Sequence, residues 1–297
     1  MSTGTRRAAS LLAVLAAALA LAACGAPAPA AGTIGVVAAE DVWGDVAAQL
    51  GGRHVSVTSL ITDPNADPHE YTANAGDAAA VHAASIVVVN GAGYDPFMGQ
   101  LLAASGTSPT VLTVAALAHA AGANPNPHLW YDLATVRLVA RALAAAYERH
   151  DRAHAGFYAA RLRAFDGSLA PVALLVTRIR REFAGTRVAY TERVPGYLLT
   201  AAGLAVATPP GFARAIESGT EPNLRDTLAM EHLMASHGVA VLLYDTQTVS
   251  TVTSAVRTAA VAAGIEVVGV AETLPAHTTY QRWQLDQDRA LLSALGG

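Results

Sequence analysis

Residues 152–183 read R-A-H-A-G-F-Y-A-A-R-L-R-A-F-D-G-S-L-A-P-V-A-L-L-V-T-R-I-R-R-E-F. Tyr158, Leu162, Phe165, Leu169, Val172, Val176, Ile179 and Phe183 follow one another in steps of 4, 3, 4, 3, 4, 3 and 4, which makes a single apolar stripe along a helix. At 1.5 Å per residue, a helix of this length spans about 48 Å, enough to run across two lobes. A dimeric coiled coil would show the same stripe. The run is short for one, and the chain on either side is the simpler partner, so a monomer is expected. Pro171 lacks an N–H and would crowd the carbonyl of Gly167, which predicts a local kink rather than a full break.

On both sides of this helix, strand-like and helix-like segments alternate. The pattern before it predicts strands at 33–37, 55–61, 85–90 and 110–114, with helices at 42–50, 74–84 and 95–104. The pattern after it predicts strands at 187–190, 239–244 and 265–270, with helices at 196–202, 224–236 and 250–263. Near-continuous apolar strands alternating with helices indicate buried parallel sheets. The expected fold is α/β, with an N-terminal lobe over 33–150, a linking helix over 151–184 and a C-terminal lobe over 185–297. No internal repeat is visible in the sequence.

The first 23 residues read as a processing signal: Arg6 and Arg7 precede an apolar run that stops at Cys24. The run is short for a membrane-spanning helix, which needs about 20 residues. Leu21-Ala22-Ala23-Cys24 resembles the lipobox of bacterial lipoproteins, in which the cysteine becomes the acylated first residue. An ordinary signal peptide cut near Ala20-Leu21-Ala22 is the competing reading. Cys24 is the single cysteine and stands where the lipobox needs it, which favours a lipid anchor. Residues 24–32, rich in Ala, Pro and Gly, read as a tether. With one cysteine there is no intrachain disulfide, so stability must come from packing.

Every one of the 19 basic residues is arginine, a bias that speaks of a GC-rich genome rather than of function. Without the signal, 17 arginines face 23 acidic residues, a formal charge of −6. No arginine-rich run is available to engage phosphates, so nucleic acid is not the expected partner.

Two motifs carry the chemistry. Asp67-Pro68-His69-Glu70-Tyr71 and Asn126-Pro127-His128-Leu129-Trp130-Tyr131-Asp132 each place a histidine directly after a proline. Proline fixes its own φ and restricts the residue before it, so each imidazole stands on a stiffened backbone. Stiffness suits a metal ligand, because little freedom is lost when the ion binds. His69, His128, Glu192 and Glu272 all lie at or just beyond the carboxyl end of a predicted strand, the sheet edge where open α/β folds bind ligands. Asp245 and Gln247 stand on a similar loop and could line the same site. His54, His82, His119, His150, His154, His232, His237 and His277 belong to no such motif and read as surface or helix residues.

With these motifs the chain resembles the zinc/manganese solute-binding lipoproteins of bacterial ABC transporters, over nearly its whole length beyond the signal. D-P-H-E-Y and N-P-H-L-W-Y-D match the first two ligand motifs of that family, and Val88-Val89-Asn90-Gly91 with Tyr94 also fits. Glu192-Arg193-Val194-Pro195-Gly196-Tyr197 fits the third, with glutamate in the ligand position, and Glu272 occupies the place of the fourth. Tyr280-Gln281-Arg282-Trp283 resembles the family's C-terminal region. Pro195 stands where an aromatic is commoner, and the His-rich acidic loop of many zinc-specific members is missing. The resemblance implies two α/β lobes joined by one long helix, with one Zn2+ or Mn2+ held between them as cargo. It also implies delivery to a membrane permease from the extracytoplasmic face.

Binding is the expected function, not catalysis. Catalytic zinc keeps an open position for water beside three protein ligands, whereas four candidates here would fill a tetrahedral shell. The alternatives are a secreted metal-dependent hydrolase, for which no H-E-x-x-H or G-x-S-x-G motif is present, and a surface adhesin, for which no exposed repeats or disulfide framework exist.

Overall fold

The computed structural model describes residues 32–122 and 124–297. The segment expected to be a processing signal, and Cys24, lie outside the described residues. The N-terminal half runs β1 (Ile34–Glu40), α1 (Asp41–Gly51), β2 (Val55–Ile61), α2 (Ala75–Ala83), β3 (Ile86–Val89), α3 (Pro96–Ala104), β4 (Thr110–Thr113), α4 (Val114–Leu117) and α5 (Leu133–His150). Two helical segments follow, α6 (Ala155–Ser168) and α7 (Ala170–Phe183). The C-terminal half runs β5 (Arg187–Tyr190), α8 (Gly196–Ala201), β6 (Ala205–Val206), α9 (Pro210–Glu217), α10 (Leu224–Ala235), β7 (Val241–Asp245), α11 (Thr251–Ala262), β8 (Glu266–Val270) and α12 (Tyr280–Ala294).

The strands form two four-stranded parallel sheets, ordered β2-β1-β3-β4 and β6-β5-β7-β8. Each sheet therefore reverses its winding between its first and third strands, and the carboxyl ends there form the crevice in which such folds bind ligands. The two lobes share this order although their sequences show no repeat.

Side chains alternate across a strand, and here the alternation sorts the core. Val36, Ala38, Ile86 and Val88 face one large cluster, while Val37, Ala39 and Val87 face a separate cluster under α2 and α3. In the second sheet, Val241 and Leu243 face the same large cluster, and Leu242 faces the outer one under α9 to α11. The large cluster is thus common to both lobes. Tyr158, Phe165, Leu169, Val176 and Ile179 of the predicted stripe all lie within it. Burying both lobes against one helical stripe makes their separation costly, since apolar burial is worth about 25 cal/mol per Å².

The expected kink is a single-residue interruption. Leu169 keeps helical angles (φ −80°, ψ −11°) between α6 and α7, and its carbonyl still accepts the Ala173 N–H at 3.1 Å. α4, α5, α9 and the two-residue β6 lie outside the predicted set. The last helix, α12, follows the C-terminal sheet but begins against the N-terminal lobe. The Asp45 carboxylate accepts the Tyr280 N–H at 2.8 Å, and the Tyr280 hydroxyl donates to the Trp130 carbonyl at 2.7 Å. Among the described residues, no helix is long and apolar enough to cross a membrane.

Candidate metal centre

Each residue of N-P-H-L-W-Y-D has a structural task. The Asn126 side-chain oxygen accepts both the His128 backbone N–H (3.1 Å) and its Nδ1–H (2.7 Å), while the Asn126 amide donates to the Arg193 carbonyl at 2.8 Å. This arrangement puts a proton on Nδ1 and turns Nε2 toward the crevice. The Pro127 carbonyl accepts from Asn90 at 2.9 Å, and Asn90 in turn accepts from Trp43 Nε1 at 3.0 Å. Leu129 and Trp130 are buried in the shared core. The Tyr131 hydroxyl lies 2.8 Å from the Ala271 carbonyl, next to Glu272, and the Asp132 carboxylate caps α5 by accepting from the Ala134 and Thr135 N–H groups.

D-P-H-E-Y is built on a smaller scale. The Asp67 carboxylate accepts the His69 N–H at 2.8 Å, closing a 3₁₀ turn over Pro68–Glu70 with the proline in its first turn. Tyr71 donates to the Asp77 carboxylate at 2.8 Å, which anchors the exit of the loop on the capping box of α2.

The structure brings all four sequence-predicted residues to one point. His69 Nε2 lies 3.1 Å from Glu192 Oε1 and 3.6 Å from Glu272 Oε2. His128 Nε2 lies 3.4 Å from Glu192 Oε1 and 3.0 Å from Glu272 Oε2. One donor atom from each residue falls within 4.8 Å of all the others, so the group could hold a metal ion. His128, Glu192 and Glu272 are buried, and His69 keeps 17% of its side chain exposed, on the side from which an ion can enter. Tyr94 and Trp130 wall the site, with ring centroids 5.0 Å from His69 and 5.5 Å from His128 respectively.

The electrostatics follow from this burial. Desolvation disfavours the His128 imidazolium, but hydrogen bonds and charge from Glu192 and Glu272 outweigh it and hold the group up to about 10. His69 is raised in the same way. Burial pushes Glu192 up, and its hydrogen bonds to the two histidines overcome that and bring it far below the usual carboxylate range. Without a metal, the two histidines and the two glutamates face one another as ion-pair partners.

Asp245 and Gln247 support this group rather than joining it. The Thr248 hydroxyl lies 2.8 Å from both Glu192 Oε2 and Asp245 Oδ2. One hydroxyl has one proton, so only one of the two acids can accept from it. Burial, then repulsion from Glu272 and Glu192, raises Asp245 well above the carboxylate range. Gln247 accepts the Glu272 N–H at 2.6 Å through its oxygen and donates to the Ala66 carbonyl at 2.9 Å through its nitrogen. It thereby ties the Glu272 loop to the His69 loop. Sequence reading left the roles of Asn126 and Thr248 unassigned and offered Gln247 only as a residue that could line the site; its partners Ala66 and Glu272 are 181 and 25 residues away.

With the geometry in hand, the chain can be set beside known proteins. The profile of the family described as zinc-uptake complex component A, periplasmic (ZnuA), matches residues 36–294. The chain belongs to that family. Among curated ZnuA-family relatives, the manganese-binding lipoprotein MntA of Bacillus subtilis (strain 168) is 32% identical over 133 residues, 41% of this chain and 43% of MntA. A putative metal-binding protein of Treponema pallidum (strain Nichols) is 25% identical over 171 residues, 50% of this chain and 53% of that protein. The matches thus span about half the length of these relatives. In fold, the chain is similar to the periplasmic zinc-binding protein TroA from Treponema pallidum, with a TM-score of 0.77 at 20% identity over 89% of this chain and 99% of TroA. It is also similar to the Mn-bound periplasmic metal-binding protein from Candidatus Liberibacter asiaticus, with a TM-score of 0.73 at 18% identity over 88% and 98% of the two chains. These likenesses establish the ZnuA-type two-lobed fold. The family is a metal-binding component of periplasmic uptake, not an enzyme class.

Proposed function

We propose that this chain captures one divalent transition-metal ion, Zn2+ or Mn2+, through His69, His128, Glu192 and Glu272, and delivers it to the permease of an ABC transporter. It works as a monomer held by a lipid on Cys24 at the extracytoplasmic face of the membrane, with lobes 33–150 and 185–297 meeting across the linking segment 151–184. The spacing of the donors is the observation that carries the reading. Zn–N and Zn–O bonds of 2.0–2.1 Å in a tetrahedron set donors about 3.3 Å apart. The four nitrogen–oxygen distances here are 3.1, 3.6, 3.4 and 3.0 Å. Two ionised carboxylates and two neutral imidazoles match a +2 ion in charge.

Glu272 Oε1 is buried without a hydrogen-bond partner. Such an atom is expensive unless a cation takes it, and bidentate coordination would raise the site to five ligands. Five-coordination with two carboxylates suits manganese, while the borderline nitrogen–oxygen set suits zinc. Competition titration with each metal tests the site: wild type should bind one equivalent tightly, and Glu272→Ala should weaken both metals by at least about 100-fold, roughly 2.7 kcal/mol. Unchanged affinity in that variant would remove Glu272, and with it the proposed centre. Metal analysis of protein isolated from its own host without chelators identifies the cargo. Release of a Cys24→Ala protein from the membrane fraction checks the anchor.

A further inference from the structure

A second group of metal-ligating side chains lies at the opposite edge of the N-terminal sheet. His54 closes a 3₁₀ turn just before β2, Asp151 follows α5, and His154 ends the 3₁₀ turn that leads into α6. One donor atom from each of the three falls within 4.8 Å of the other two. The two imidazoles stack with ring centroids 3.9 Å apart and planes 30° from parallel. His154 Nδ1 lies 2.7 Å from Asp151 Oδ2, and that oxygen also accepts from the Tyr158 hydroxyl at 2.9 Å. His54 Nε2 is a buried nitrogen with no hydrogen-bond partner.

From this geometry we infer that His54, Asp151 and His154 form a second, weaker binding site for a borderline divalent cation such as Zn2+. Two imidazoles and one carboxylate are a common three-residue zinc set, with the remaining position open to water. Tyr158 plays the orienting part, since a phenol that donates to a ligating carboxylate fixes which lone pair faces the ion. Arg53 beside the group is turned aside, over the Phe157 ring, 5.2 Å from its centroid. Two imidazoles on one ion have centroids about 4.5 Å or more apart, so His154, with 45% of its side chain exposed, must swing out of the stack as the donor nitrogens turn to the ion. The site is separate from the first. β2 alone, seven residues long, puts about 20 Å between its start beside His54 and its end toward the His69 loop.

The untagged full chain, dialysed to equilibrium against graded free Zn2+, tests this inference. Wild type should take up two equivalents, the second at least about 100-fold weaker, because it has three donors and partial exposure to water. His154→Ala and Asp151→Asn should each bind one equivalent with the tight affinity unchanged. Asp151→Asn keeps an acceptor for Tyr158, and a melting curve on each variant confirms folding. His128→Ala should lose the tight equivalent and keep the weak one, which separates this inference from the proposed centre. A wild-type stoichiometry of one that His128→Ala abolishes would overturn it, as would a second equivalent that persists in both His154→Ala and Asp151→Asn.

Discussion

The N-terminal lobe offers the crevice two imidazoles on proline-stiffened loops; the C-terminal lobe offers two carboxylates at the ends of β5 and β8. Both lobes use one strand order and one sheet edge, yet their donors are opposite in charge preference. Glu192 and Glu272 are both buried, which would be prohibitive for either lobe alone. Facing histidines cancel that cost when no metal is present, and a divalent ion cancels it when one is. The lesson is that the site belongs to neither half: each lobe carries what the other must neutralise. The shared apolar core and the ties from Asn126, Gln247 and Tyr280 hold the two halves in register.

The largest expected effect comes from breaking the charge exchange with protons. His128 is held up to about 10, so it is protonated at neutral pH in the metal-free site, and His69 is raised above its ordinary value. The metal must displace the His128 proton, and the His69 proton where it is held, so affinity falls with decreasing pH over the whole range below the raised values. An unperturbed histidine, near 6.5, would confine that fall to acid. Between pH 7.5 and 5.5 the loss should exceed about 10²-fold, about 2.7 kcal/mol, with between one and two protons released per metal. Glu192, shifted far down, stays ionised and does not compete. The stability of the metal-free protein runs the other way. Raised histidines contribute fully below about 6.5 and lose that contribution as pH rises toward 10, so its Tm should fall over that interval. Calorimetric titration in two buffers of different ionisation enthalpy counts the protons. Release of fewer than one, with affinity flat to pH 5.5, would show that the lobes do not neutralise one another.

Next in size is the loss of a support from each lobe. Gln247→Ala frees the Glu272 loop and cuts its tie to Ala66; Asn126→Ala frees His128 Nδ1 and cuts the tie to Arg193. Outer partners of metal ligands are typically worth 10–100-fold in affinity. Gln247→Ala should lie toward the upper end, because it loosens one ligand directly and the loop of another. Asn126→Ala should lie toward the lower end, because His128 is also held by its packing against Trp130. Titration of both variants with Zn2+, beside melting curves, checks the order. Losses of threefold or less in both would make the first donors self-sufficient.

The same contrast governs what could be read in the sequence. The two histidine motifs are local: Pro68 and Pro127 stiffen the backbone one residue from the ligand, so the signal lies within a few letters. The carboxylates announce themselves only by standing at strand ends. Their supports are longer range still, as when the Asp41 carboxylate accepts the Leu274 N–H across 233 residues. The apolar stripe from Tyr158 to Phe183 was legible because large side chains mark each turn. α5 carries the same kind of signal, Val136, Val139, Leu143 and Tyr147 in steps of 3, 4 and 4, so this helix was legible too although it lies outside the predicted set. His54 and His154 gave no motif because 100 positions separate them, and only the turns flanking β2 and α6 bring them together.

The smallest effect expected, and the sharpest on the comparison, is to give the C-terminal lobe an N-terminal type of donor. Glu192→His replaces up to two hard oxygens and one negative charge with a single neutral nitrogen. Three imidazoles and one carboxylate still make a good tetrahedral zinc site, whereas manganese prefers oxygen-rich, higher-coordinate surroundings. Manganese affinity should therefore drop further than zinc affinity, moving their ratio by threefold to tenfold, at most about 1.4 kcal/mol. Thr248 would lose its acceptor at Glu192 Oε2 and turn wholly to Asp245, so folding should be followed by thermal melting in parallel. Glu192→Ala is the companion variant: it should weaken both metals, since one carboxylate then faces a +2 ion alone. A zinc-to-manganese ratio that does not move in Glu192→His, together with wild-type affinity in Glu192→Ala, would take Glu192 out of the centre and leave its short contacts with His69 and His128 as an ion pair of the metal-free protein.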